Sequence, residues 1–117
     1  MPTRRYVVKS SVEETYQMIR LSQSMDSVVF KELRDFGDDK KMATIACEQY
    51  YIRTSNRIAL FITIHNFSGV TEVTAISTGS SQSMIFKFDW GAAQNYLKTI
   101  TDALKPVLIS NKEKSPD

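Results

Sequence analysis

The chain has 117 residues, of which 42% are hydrophobic and 24% charged, with four Gly and three Pro. That is the size of one domain, and a chain of this length buries roughly two-thirds of the surface it exposes when unfolded, which excludes a disordered body and supplies one core. Fifteen Lys and Arg against thirteen Asp and Glu leave a net charge of +2. The charges are interspersed, without the basic stripe that phosphate-binding surfaces carry, so nucleic acid is not an expected partner.

Tyr6-Val7-Val8 is β-rich and reads as a first strand. Ser11-Val12-Glu13-Glu14 follows as a capping box, in which Glu14 reaches back to the cap amide. Val12, Tyr16 and Ile19 then recur at helical spacing, so a helix is expected from Ser11 to Gln23 or Met25. Val28 to Phe36 is rich in Val, Phe and Leu and reads as a strand. Gly37-Asp38-Asp39-Lys40 is a turn, because Gly and Asp tolerate the backbone angles it needs. Met42 to Ile52 is the returning strand, and Thr54-Ser55-Asn56 a further turn.

Ile58 to His65 is the most apolar strand, with Ile58, Leu60, Ile62 and Ile64 on one face. Asn66 to Gly69 turns the chain. Val70 to Thr78 alternates, with Val73 and Ala75 opposite Glu72 and Thr74. Gly79 to Gln82 is expected to turn once more, into a last strand carrying Met84, Phe86 and Phe88. Asp89 is placed as the N-cap of a second helix. Its stripe is Ala93, Leu97, Ile100, Leu104 and Val107. Pro106 lacks an amide and clashes one turn back, so the regular helix ends near Leu104. Residues 1–109 form one α+β domain, and Ser110 to Asp117, which is polar throughout, is expected as a frayed tail.

The expected order is thus β-α-β-β-β-β-β-α. A meander has one face to cover, and two amphipathic helices are available to cover it. The result is a curved antiparallel sheet packed against a long C-terminal helix.

The opening Tyr6-Val7-Val8-Lys9-Ser10-Ser11-Val12-Glu13-Glu14-Thr15-Tyr16 resembles the strand-then-helix entry of helix-grip, START-like domains, and the whole order resembles a reduced form of that architecture. The closing Phe86-Lys87-Phe88-Asp89-Trp90-Gly91-Ala92-Ala93 resembles an uncharacterised family of small bacterial domains. That resemblance implies a fold and no assigned activity.

Groups able to carry chemistry are scarce. His65 is the single histidine, at a strand end, without a nucleophile or orienting acid nominated by the sequence. Cys47 is the single cysteine. It lies mid-strand between Ala46 and Glu48, where a buried structural role accounts for it. No intrachain disulfide is possible, which fits a reducing, cytoplasmic setting. One His and one Cys make no metal site, and no Gly-rich phosphate loop is present, so no cofactor is expected. Asp38-Asp39 and Glu13-Glu14 are accounted for by turn chemistry and by the helix dipole. An assembly of Glu48, Tyr50 and His65 is the one arrangement from which an enzyme could be built. No signal peptide is expected, because no long apolar run follows the basic start. The longest apolar run, Ile58 to Ile62, falls far short of the roughly 20 residues that span a bilayer, so membrane insertion is not expected.

Two functional expectations follow. A non-enzymatic binding module would take a small apolar ligand, or a protein segment, between the sheet and the C-terminal helix, with Tyr16, Tyr51, Trp90 and Leu97 at the site. Alternatively, a homodimer would form through the outer sheet face. Ala59, Phe61, Thr63 and Ile76 stand on that face with Thr44, Ala46, Thr74 and Ile85, and Lys and Glu are sparse there.

Overall fold

The computed structural model describes residues 3–51, 56–81 and 90–114. The elements run β1 (Thr3–Val8), α1 (Val12–Ser22), β2 (Val28–Asp35), β3 (Lys41–Tyr51), β4 (Asn56–His65), β5 (Thr71–Ser81), α2 (Trp90–Leu104), a 3-10 turn (Lys105–Val107) and β6 (Leu108–Lys114). The strands form one antiparallel sheet in the order β2-β3-β4-β5-β1-β6. Both helices lie against it and against each other, with α1 over β3 and β4 and α2 over β4 and β5.

The helix starts where the capping box places it. Ser11 Oγ accepts from the Glu14 amide at 3.0 Å, and Glu14 Oε1 accepts from the Ser11 amide at 3.0 Å. Val12, Tyr16 and Ile19 are buried as one stripe. At the second helix, Ala93, Leu97, Ile100 and Leu104 are fully buried. The helix gives way at Leu104 to the 3-10 turn that holds Pro106, a residue that cannot continue an α-helix. Facing these stripes are Ile58, Leu60, Ile62 and Ile64 of β4, Ala43 and Ile45 of β3, and Val73 and Ala75 of β5, all fully buried.

The far end of α2 is fixed by polar contacts. Tyr6 Oη lies 2.8 Å from Thr101 Oγ1, and Arg4 donates to Thr101 Oγ1 at 3.1 Å. Burial raises the Tyr6 phenol above its ordinary pKa. At the β2–β3 turn, Gly37, Asp38 and Asp39 all take positive φ, as the sequence pattern requires. Asn66 ties that turn to the next by accepting from the Lys41 amide at 2.9 Å and donating to the Asp39 carbonyl at 2.7 Å.

Two expectations need correction. Gly79, Ser80 and Ser81 do not turn; they extend β5, because Ile58, Arg57 and Asn56 of a longer β4 pair with them. Ser110 to Lys114 is not a tail but part of β6, whose backbone pairs with the outer side of β1 from Thr3 to Val8. Polar side chains gave no hint of this, since an edge strand is held through its backbone. The expected strand at Met84, Phe86 and Phe88, the Asp89 cap and the Thr54-Ser55 turn lie outside the described residues. No described helix is long and apolar enough to cross a membrane.

Two predictions follow from the packing. Leu97→Ala removes a fully buried side chain and is expected to cost roughly 2–5 kcal/mol in chemical denaturation. Hydrogen bonding to Lys41 holds the Glu13 carboxyl below its ordinary pKa, and hydrogen bonding to Ser11 does the same for Glu14. Such groups stabilise the fold above the unfolded carboxylate pKa, and the stabilisation is lost as pH falls through the lower folded values. The melting temperature of the native chain should therefore drop more between about pH 5 and about pH 3 than that of a Glu13→Gln/Glu14→Gln variant; equal drops would refute the assignment.

Candidate binding groove

The strands are unequal, and a concavity arises where they mismatch. β2 begins at Val28, opposite Cys47, whereas β3 continues to Tyr51. The last β3 residues therefore run past the start of their neighbour. The chain before β2 turns there, with the Ser27 amide and hydroxyl both donating to the Ser24 carbonyl. The Ser27 carbonyl accepts from the Glu48 amide at 2.8 Å. Antiparallel alternation points the amide and carbonyl of Tyr50 to the same side as the Glu48 amide. No strand among the described residues covers Tyr50 on that side.

A groove of about 550 Å³ occupies this space. One wall is the end of α1 and the loop after it, with Ser22, Gln23, Ser24, Asp26 and Ser27; the other is α2, with Asn95, Tyr96 and Thr99; Glu48, Gln49 and Tyr50 of β3 complete it. The walls are tied together, because Gln23 Nε2 donates to Thr99 Oγ1 at 2.9 Å. The Thr99 hydroxyl in turn donates to the Tyr96 carbonyl at 2.7 Å. Most lining residues carry a hydroxyl or an amide group, and the charged members, Asp26 and Glu48, are both acidic. Glu48 also lies 3.6 Å from Arg57 across the strand pair.

Beneath the groove, inner-face positions turn from apolar to small and polar. Cys47, Leu60 and Ser77 stand in one register row across β3, β4 and β5. The Cys47 thiol is buried beside the hydroxyls of Tyr96 and Ser27, both of which line the groove. Burial raises its pKa against those two hydroxyls, which pull it down. The Ser77 hydroxyl is fully buried without a hydrogen-bond partner among the described residues. A smaller hollow, about 230 Å³, lies between the end of α1 and β2, where Met25, Val29 and Phe30 are flanked by Arg20 and Lys31.

Of the expected ligand residues, Tyr16 and Leu97 are brought together in the core cluster, and neither is among the groove's described lining. Tyr51 ends β3 beside the groove-lining Tyr50, and Trp90 opens α2; their side chains lie outside what is described. Sequence reading did not pick out Ser24, Asp26, Asn95 or Thr99. The available signal was the polar loop Ser22-Gln23-Ser24 next to a strand longer than its partner. The expected outer-face positions do share the side away from the helices: Thr44, Ala46, Ala59, Phe61, Thr63, Thr74 and Ile76 are all half-buried or exposed. Ile85 lies outside the described residues.

Glu48, Tyr50 and His65 do not converge. Glu48 pairs with Ala59 and Tyr50 with Arg57, while His65 pairs with Met42. Six residues along an extended strand separate Ala59 from His65, about 20 Å. His65 instead stacks on Phe67 and lies 3.5 Å from Glu72. Among the described residues, no three His, Cys, Asp or Glu side chains stand close enough to share a metal ion.

The thiol yields a direct prediction. A buried thiol with a raised pKa is a poor nucleophile. In native buffer, Cys47 should react with a disulfide exchange reagent orders of magnitude more slowly than in denaturant; comparable rates would contradict its placement.

No curated protein matches the chain. A model of a family of unknown function, DUF6054, matches residues 6–107, which spans the elements from β1 to the 3-10 turn. The chain belongs to the DUF6054 family.

Proposed function

We propose that the protein is a non-enzymatic binding module that takes a short extended protein segment in the groove between the end of β3 and α2. The observation that carries this reading is the overhang of β3. Tyr50 presents backbone groups along an edge that β2 does not reach, within a concavity whose walls are already fixed by the Gln23–Thr99 hydrogen bond. An unpaired edge is a template for another strand, and main-chain hydrogen bonds supply affinity when a segment adds to it.

The lining refines the kind of segment. Asn95, Thr99, Ser24 and Gln49 offer donors and acceptors, which suits a polar backbone better than an apolar small molecule. Asp26 and Glu48 favour Lys or Arg in the bound segment over acidic residues. The volume also lies within the range of small-ligand sites, but the open strand edge is what distinguishes extended backbone from a compact ligand.

Selection of random twelve-residue peptides displayed on phage, with the full chain immobilised, tests the proposal. Enriched peptides should carry Lys or Arg in extended, alternating patterns. Titrated into the labelled protein, they should shift the amide resonances of Glu48, Tyr50, Asn95 and Thr99. Tyr50→Pro removes an amide on the open edge and should abolish binding while the circular dichroism spectrum is kept. Glu48→Lys should weaken binding with the fold intact. Failure to enrich any peptide, or binding indifferent to both variants, would refute the reading.

A further inference from the structure

Among the described residues all the helical cover lies on one side of the sheet, and the other side is a broad surface of definite composition. Its register can be read row by row. In the first row Phe30 of β2, Ala46 of β3, Phe61 of β4, Ile76 of β5 and Thr3 of β1 stand side by side. In the second row the order is Glu32, Thr44, Thr63, Thr74 and Arg5. In the third it is Arg34, Met42, His65, Glu72 and Val7. Phe61, near the middle of the six strands, is 44% exposed, and Phe30 is 50% exposed.

We propose that this face packs against the same face of a second copy, about a two-fold axis that runs parallel to the strands along β4. Charge selects the axis. The second row is acidic at its β2 end, at Glu32, and basic at its β1 end, at Arg5. Face-to-face sheets can be related by an axis along the strands or by one across them. An axis across the strands keeps each strand opposite itself. It brings Glu32 against Glu32 and Arg5 against Arg5, sets Phe61 on His65, and places Ile76 on Glu72.

An axis along the strands reverses the strand order. Glu32 then faces Arg5 of the second copy at both edges. Phe61 faces its own copy on the axis, Ala46 faces Ile76, and Thr44 faces Thr74. Like charges in contact suppress the first arrangement, and opposite charges together with the apolar centre favour the second. Aligned sheets pack about 10 Å apart with strands within about 30° of one another, so the pairing is closest near the centre. The surface is distinct from the groove at the end of β3, and the proposal does not depend on the groove's occupant.

Sedimentation equilibrium of the full chain, up to about 0.5 mM, provides the test. The native chain should dimerise, and Phe61→Lys should be monomeric with an unchanged circular dichroism spectrum. Glu32→Arg and Arg5→Glu should each weaken dimerisation roughly fivefold or more, because each contact occurs twice in the pair. The double variant should recover most of the loss. A native chain that stays monomeric throughout, its open face simply hydrated, overturns the proposal, as does a dimer indifferent to Phe61→Lys. A dimer that Phe61→Lys dissociates but the charge exchange fails to restore overturns the assigned axis.

Discussion

The burial of one helical stripe on one strand face governs everything else in this structure. Ala93, Leu97, Ile100 and Leu104 recur every three or four residues, and Ile58, Leu60, Ile62 and Ile64 recur every two. Each series buries fully only if α2 lies on one chosen side of β4. Strand parity then leaves no freedom: a one-residue slip would send four large side chains into water. The stripe of α1, with Val12, Tyr16 and Ile19, settles on the same side and completes that layer. Both helices are thereby committed, and the opposite face of a six-stranded sheet has no described element to cover it.

The second consequence concerns length. Helix α1 ends at Ser22, and the chain turns through Ser24 to Ser27 before β2 can begin. β2 therefore joins β3 late, and the end of β3 is left with α2 on one flank and a polar loop on the other. The groove is the residue of that mismatch, with Gln23 on Thr99 tying its walls and the buried Cys47 beside two of its lining hydroxyls. The same core packing thus yields two unlike surfaces, a polar groove at the end of the sheet and a flat, Thr-rich face with an apolar centre.

Much of this was legible in the sequence because it rests on periodicity and caps. The Ser11–Glu14 box, the stripes of both helices, the parity of β4 and β5 and the stop at Pro106 are all local signals, and local physics decided them. What was not legible depends on pairing partners. Gly79 to Ser81 looks like a turn by composition, yet a strand continues wherever its neighbour still offers backbone groups. The polar run after Ser110 looks like a tail, yet β1 presents an edge that it joins. The groove was hidden for the same reason. Tyr50 enters the sequence reading only as a member of a possible enzyme assembly; its significance lies in where β2 starts, which no property of Tyr50 encodes. Tyr16 and Leu97, chosen as ligand contacts for their chemistry, are core members because their helical spacing places them there.

The one-sidedness of the buried layer can be measured without reference to any ligand or partner. In a methyl-labelled sample, nuclear Overhauser contacts should connect Leu97 and Ile100 of α2 to the Ile and Leu methyls of β4 at positions 58 to 64, with none from α2 to Ile76 on the opposite side of the sheet. Contacts from α2 to Ile76, or an absence of contacts to β4, would contradict the account.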